Sequence, residues 1–307
     1  YLKEWIETRK GFIAETTYDG YWYMYNKHIG PYFAEKNILL EKLSSMDIEK
    51  YYQTKMLSGL GNNSLRKQHA MIHCCLEKAR KQKLISENPA HDCEKPKKTH
   101  FQADYYKIEV INILLDAAKD SNLYPVIAIA CIFGLRKSEI LGLKWSALDF
   151  DKKILSVNSS VVRTVSSGHI EDIEKSTLKN SSSHRSFPLN DEMLAFFKSL
   201  KQKQLQSKEL NPDSYSDEFS QYICLDENGK RLSSDNVSNR FPNLLRNNNL
   251  RKIRFHDLRH SCATMLLTLG YNMKQIQLWL GHATYEQTAN TYTHFNILDE
   301  TSMINDM

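Results

Sequence analysis

His256-Asp257-Leu258-Arg259-His260, then Leu280-Gly281-His282, then Thr291-Tyr292-Thr293-His294, is the stretch whose reading decides the fold. His256 and Arg259 stand three apart, so one helix turn carries both on a single face. His282 follows, and Tyr292 comes ten residues after it. These are two imidazoles, a guanidinium and a phenol, with no metal-ligand spacing and no glycine-rich phosphate loop. Guanidinium groups grip phosphate through a planar fork, and a tyrosine can act as a covalent nucleophile. The combination points to phosphoryl transfer onto a tyrosine.

Working outward, 307 residues suffice for one large or two ordinary domains. A 41% hydrophobic and 25% charged composition is that of a globular protein. The longest apolar run, Pro125 to Phe133, is far shorter than the roughly 18–20 residues that span a bilayer, so no membrane partner is expected. Six scattered cysteines lack a disulfide framework and read as reduced thiols of a cytoplasmic protein. His73-Cys74-Cys75 with Cys93 lacks a C-x-x-C pair and falls in a helical pattern, which argues against zinc. The chain opens on Tyr1 rather than Met, which reads as a longer protein whose natural N-terminus lies outside this sequence.

The net charge of +5 is unevenly spread. Residues 1–100 hold 17 Lys and Arg against 12 Asp and Glu, whereas the remainder is balanced at 24 against 24. Arg66, Lys67, Arg80 and Lys81 fall in one helical stretch, and Lys97 and Lys98 follow it. Such a cluster reads either as an ordinary solvated face or as an electrostatic footprint for nucleic acid.

The fold expected is mainly α with one small antiparallel β-sheet. Helices are expected from Thr16 to Ile29, stopped by Gly30-Pro31, from a cap at Ser45 toward Gly59, and from a cap at Ser64 to before Asn88-Pro89. The aromatic stripe Tyr18, Tyr21, Trp22, Tyr23 and Tyr25 reads as core. Strands are expected over 153–157, 160–165 and 185–189, with helices on either side. The boundaries that follow are a helical domain over 1–92, a basic linker over 93–102, a second domain over 103–295 and a tail over 296–307.

Gly134-Leu135-Arg136-Lys137-Ser138-Glu139 completes the pattern. With the H-x-x-R helix, the L-G-H turn and the terminal Tyr, all in order, the chain resembles the tyrosine recombinases of the phage integrase family. Phage and conjugative-transposon integrases are the nearest members. The resemblance is strong over 103–295 and weaker over 1–90. It implies that Arg136 and Arg259 clamp the scissile phosphate, with Glu139 placed to pair with Arg136. Fixed cations aimed at a phosphorane lower its barrier without reorganising. Tyr292 then corresponds to the nucleophile, His256 to its proton acceptor and His282 to a second hydrogen-bond donor. Lys179 matches the general acid of a β-hairpin, with Lys175 a nearby competitor. His184, His260 and His294 read as structural.

The resemblance further implies a 3′-phosphotyrosyl intermediate, needing neither metal nor other cofactor, by which a mobile element is integrated and excised. The partners implied are double-stranded DNA at element ends and target sites, further copies of the chain as a dimer to tetramer, and an accessory excision factor. A cytoplasmic enzyme, bacterial or phage-encoded, is expected, with an N-terminal arm-binding domain in the integrase branch. Two other readings stay open at this point: a type IB topoisomerase, and a catalytically silent DNA-binding regulator on the same fold.

Overall fold

The computed structural model describes residues 1–99, 103–166, 169–175, 184–286 and 288. The chain divides into two compact units, Tyr1–Phe101 with Thr164–Ile170, and Gln102–Arg163 with Glu171–Met307.

The first unit is helical: α1 (Leu2–Glu7), α2 (Glu15–Met24), α3 (Gly30–Lys36), α4 (Ser45–Leu57) and α5 (Asn62–Lys81). The stop expected at Gly30-Pro31 does not occur. A π-turn over Tyr25–Ile29 runs from α2 straight into α3, whose first turn holds Pro31. Proline lacks an N–H and its ring crowds the carbonyl four residues back, so a wider turn just before it lets the helix continue. The cap of α4 is Ser44, not Ser45. Asp47 N–H donates to Ser44 Oγ at 3.3 Å, while Ser44 N–H donates back to Asp47 Oδ2 at 3.1 Å. Of two adjacent serines, the one with an acid three residues on closes this reciprocal box. Nor does Ser64 cap α5, which starts after an extended Gly61 and has no side-chain cap.

Leu65, Ile72, Cys75, Leu76 and Ala79 form the buried stripe of α5, packed with Trp5, Ile6, Ile48, Tyr51 and Tyr52. Tyr18, Tyr21, Trp22 and Tyr25 lie against this core, and Trp5 stacks on Tyr21 at 5.6 Å, whereas Tyr23 is exposed. Polar groups drawn inside are paired, as buried groups must be: Tyr52 Oη meets His69 Nδ1 at 2.7 Å and Tyr51 Oη donates to Gln68. Residues beyond α5 hold to the same unit, since Cys93 is buried, Arg66 donates to the Pro96 carbonyl at 3.0 Å, and Asn63 exchanges two hydrogen bonds with Thr99.

The second unit contains α6 (Ile108–Ala118), α7 (Tyr124–Phe133), α8 (Lys137–Leu141), α9 (Asp191–Leu210), α10 (Ser234–Asn247), α11 (Asp257–Thr268) and α12 (Met273–Leu280). Its strands are β1 (Leu148–Asp149), β2 (Ile154–Val157) and β5 (Arg185–Pro188), with Ser160–Arg163 of β3 (Ser160–Ser166) and Glu171–Lys175 of β4 (His169–Lys175). Nearly every residue of α7 from Val126 to Phe133 is buried, so it is the central helix, apolar all round. α11 packs along it.

The mainly α architecture is as expected, but the single sheet becomes two. One has the antiparallel order β1-β2-β5, with Leu155 opposite Phe187, and the other pairs β3 with β4. β4 escapes a hydropathy reading because His169-Ile170-Glu171-Asp172-Ile173-Glu174-Lys175 is dominated by charge. Glu174 on it finds partners distant in sequence: it binds Lys144 and the Tyr222 hydroxyl, each at 2.7 Å. Among the described residues, no helix is long and apolar enough to cross a membrane.

Candidate active site

α7 ends at Gly134, whose φ of 60° is left-handed. A Cβ there would come within 2.5 Å of a Leu280 methyl carbon, so this glycine allows the end of α7 to meet the end of α12. Arg136 then caps α8. Its N–H donates to Glu139 Oε2 at 2.9 Å and its guanidinium to Glu139 Oε1 at 2.7 Å. Helix geometry sets this contact, because the third residue of a first turn folds back over the cap.

Arg259 rises from α11 and is only 2% exposed. It donates to the Gly134 carbonyl at 2.6 Å and the Leu280 carbonyl at 2.7 Å, one guanidinium bound to the C-terminal ends of two helices. Helix C-termini carry partial negative charge, so they attract a cation. The neighbouring carbonyls are also occupied: Arg136 reaches Gly281 O at 3.2 Å and Arg185 reaches Trp279 O at 3.0 Å. Three successive carbonyls, Trp279, Leu280 and Gly281, thus accept from three different arginines.

The left-handed Gly281 (φ 67°) turns the chain to His282, which is 7% exposed. Its Nδ1 lies 2.9 Å from Thr288 Oγ1. Burial, and then the charges of Arg259 and Arg136, push its pKa down to about 3, so the ring is neutral. His256 caps α11 and keeps an exposed face, edge-on to His260 at 5.5 Å. Crowding by protein and the charges of Arg259, His260 and Arg254 hold its pKa down to about 4. The negative charge of Asp257 opposes this shift. Buried Asp257 steadies the turn, accepting from the Arg254 N–H at 2.7 Å and pairing with its guanidinium at 2.6 Å. Burial raises the pKa of Glu139, but the charge and hydrogen bond of Arg185, with Arg136, outweigh it and keep the carboxyl ionised.

Arg136, Arg259 and His282, read from three sequence boxes, thus neighbour one another, and His256 lies beside Arg259 on the first turn of α11. Lys179 and Tyr292 lie outside the described residues, as does the tail over 296–307. Lys175 closes β4. Arg185 is a site residue whose position the sequence marks, in the pattern K-x-x-x-S-x-R-x-x-P-L that runs from Lys179 to Leu189, but whose partners it does not. The pattern does not announce its burial, because arginine is seldom fully buried. Of the six basic residues singled out in the sequence, Lys67, Lys81, Lys97 and Lys98 are exposed, Arg66 is half-buried against Pro96, and Arg80 pairs with Glu77 at 2.7 Å. No group of three or more metal-ligating side chains occurs among the described residues.

Residues 106–297 match the phage integrase family, and residues 1–57 match the N-terminal SAM-like domain of phage integrases. The chain belongs to the phage integrase family. This integrase is therefore a tyrosine recombinase, of a class that breaks and rejoins DNA strands. It is 24% identical over 288 residues to a XerC-like tyrosine recombinase of Caldanaerobacter subterraneus, spanning 90% of this chain and 73% of that one. It is also 24% identical to the ICEBs1 integrase of Bacillus subtilis, over 89% of this chain and 72% of the relative. In fold it matches the Tn1549 transposon integrase solved with transposon right-end DNA (TM-score 0.73, 19% identity, 95% of this chain and 93% of that one). A lambda integrase dimer bound to a core site follows (TM-score 0.65, 17% identity, 94% and 93%). These relatives favour site-specific recombination over a topoisomerase or a silent regulator.

Proposed function

We propose that this integrase binds duplex DNA at the ends of a mobile element and at its target, and exchanges strands through a 3′-phosphotyrosyl bond to Tyr292. The observation that carries the reading is the convergence of Arg136, Arg259 and His282 around the turn after α12, with His256 beside Arg259 at the start of α11. Arg136 and Arg259 hold the non-bridging oxygens of the scissile phosphate, where negative charge gathers in the transition state. A tyrosine phenol, with an ordinary pKa of about 10, must lose its proton to attack. His256, neutral at pH 7, accepts it. His282 donates a hydrogen bond to the phosphate from the ring edge opposite Thr288.

As the bond from Tyr292 Oη to phosphorus forms, the bond to the 5′ oxygen breaks, and Lys179 protonates that oxygen, with Lys175 the alternative donor. The 5′ hydroxyl of a second strand then attacks phosphorus, and the phenol leaves with its proton restored. One phosphodiester replaces another, so the exchange proceeds without ATP or a divalent cation. Exchange between two duplexes requires several cuts in concert, which calls for a dimer to tetramer of the chain on DNA, assisted in excision by an accessory factor. The exposed Lys67, Lys81, Lys97 and Lys98 supply phosphate contacts, so affinity falls steeply with salt. Such an enzyme works in the cytoplasm, beside the chromosome.

The test is incubation, in EDTA, with nicked duplexes carrying the ends of the encoding element, followed by a denaturing gel and peptide mapping. A covalent adduct at Tyr292 that disappears in Tyr292→Phe, while DNA binding persists, is the expected result. Cleavage retained by Tyr292→Phe would sink the nucleophile assignment.

A further inference from the structure

Arg185 is 7% exposed and Glu139 3%, so their contact is sealed from water on both sides. Arg185 donates to Glu139 Oε2 at 2.9 Å and reaches Oε1 at 3.5 Å. Both oxygens also serve Arg136, which donates to Oε1 from its guanidinium and to Oε2 from its backbone. One carboxylate is therefore shared by two arginines. The third arm of Arg185, Nε, donates to the Trp279 carbonyl at 3.0 Å, two residues before the carbonyl that holds Arg136. Its guanidinium lies over the Phe187 ring at 5.5 Å. A rigid planar fork thus ties β5, α8 and the end of α12 together.

We propose that Arg185 is a positioning residue for strand cleavage, aiming Arg136 by fixing both Glu139 and the Trp279–Gly281 turn. The inference rests on the reading of Arg136 as a phosphate clamp. Two physical effects support it. Glu139 alone would neutralise Arg136, whereas two arginines on one carboxylate leave a net positive charge directed at the phosphate. The fork also fixes the carboxylate plane, so Arg136 meets its partner in one orientation. Only Arg136 of this trio is open to solvent, with 32% of its side chain exposed. Arg185 therefore acts through its neighbours and not on DNA.

A purely structural ion pair makes a different prediction: its loss lowers folding stability but leaves the cleavage rate of the folded enzyme unchanged. Arg185→Lys keeps the charge but loses the fork, and Arg185→Gln keeps length and a donor but loses the charge. Both are assayed below their melting temperatures on a nicked duplex carrying the joined ends of the encoding element, with protein saturating. The single-turnover rate of adduct formation should fall about 10- to 100-fold in both, as when the outer partner of a functional side chain is removed. The dissociation constant for DNA should stay within about threefold, because the interaction removed serves the transition state and not binding. Arg136→Lys combined with Arg185→Lys should be no slower than the worse single variant, since residues acting through one contact are not additive. A wild-type rate in either folded Arg185 variant, or full additivity in the double variant, would overturn the proposal. An Arg136→Lys variant that cleaves normally would instead remove the clamp reading, and this inference with it.

Discussion

Two arginine–glutamate pairs, each three residues apart and each closed at 2.7 Å, stand in different units of this integrase. Glu77–Arg80 lies on the outer face of α5, its side chains 30% and 45% exposed. Arg136–Glu139 opens α8, with the glutamate 3% exposed and a second arginine on its other side. Distance is identical, yet the surroundings assign different work. The first pair exchanges one hydrated arrangement for another. The second removes a carboxylate from water, which is tolerable only because two guanidinium groups and a backbone N–H surround it.

The comparison is tested most severely by Glu139→Ala. Arg185 would lose the buried carboxylate that two of its arms meet, while Arg136 can turn to solvent. The expected loss is about 3–5 kcal/mol of folding stability, the cost of leaving one member of a buried pair alone. Urea denaturation checks it, and adduct formation should disappear in any fraction that remains folded. A loss no larger than that of a surface substitution would mean that water reaches this carboxylate after all.

Acid should weaken both units by a shared device. His69 in the first and His282 in the second are buried and neutral, with pKa values held down to about 4 and about 3 by burial and then by nearby positive charge. In the unfolded chain each returns to about 6.5. Below that value the unfolded state takes up protons that the folded state refuses, so stability is full above pH 6.5 and declines as pH falls toward 4. Glu139, whose pKa lies below its ordinary value, stays ionised through this window and does not contribute. Urea midpoints at pH 7.5, 5.5 and 4.5 should fall in that order, by a few kcal/mol in total. His69→Asn should flatten part of the slope. A midpoint unchanged down to pH 4.5 would contradict both assignments.

What the sequence reveals follows the same division between local and distant contacts. His256 with Arg259, and Arg136 with Glu139, are legible because helix geometry alone brings residues three apart together. Gly134 and Gly281 are legible as helix ends, and both adopt the left-handed turn that a glycine allows. Arg185 is legible as a position of the hairpin pattern, but its burial and its partners are not, since those partners lie 46 and 94 residues away. The hairpin strand β4 is hidden for a related reason, its polar groups being satisfied by Lys144, Tyr222 and Arg231 from elsewhere in the unit. The cap of α4 falls one residue before the expected serine because two serines adjoin, and only the reciprocal bond with Asp47 chooses between them. Gly30-Pro31 carries a stop signal that a single π-turn overrides.

The mildest test belongs to the exposed pair. The hydrogen bond from Arg80 draws the pKa of Glu77 to about 2, a larger effect than solvent exposure alone suggests for a surface pair. Water and salt screen both groups, and the two long side chains lose freedom when they hold one geometry. Arg80→Ala should therefore leave the urea midpoint unchanged within error, at low salt and at about 0.5 M, where the Debye length shrinks to a few ångströms. Its consequence should appear on DNA. Removing Arg80 also frees Glu77, leaving an unpaired negative charge on the basic face of α5. Affinity for duplex DNA should then drop at low salt, and the salt slope should become shallower by about one unit for each phosphate no longer neutralised. Reduced stability without any change in salt slope would reverse the comparison, making the exposed pair a structural one and α5 an ordinary solvated helix.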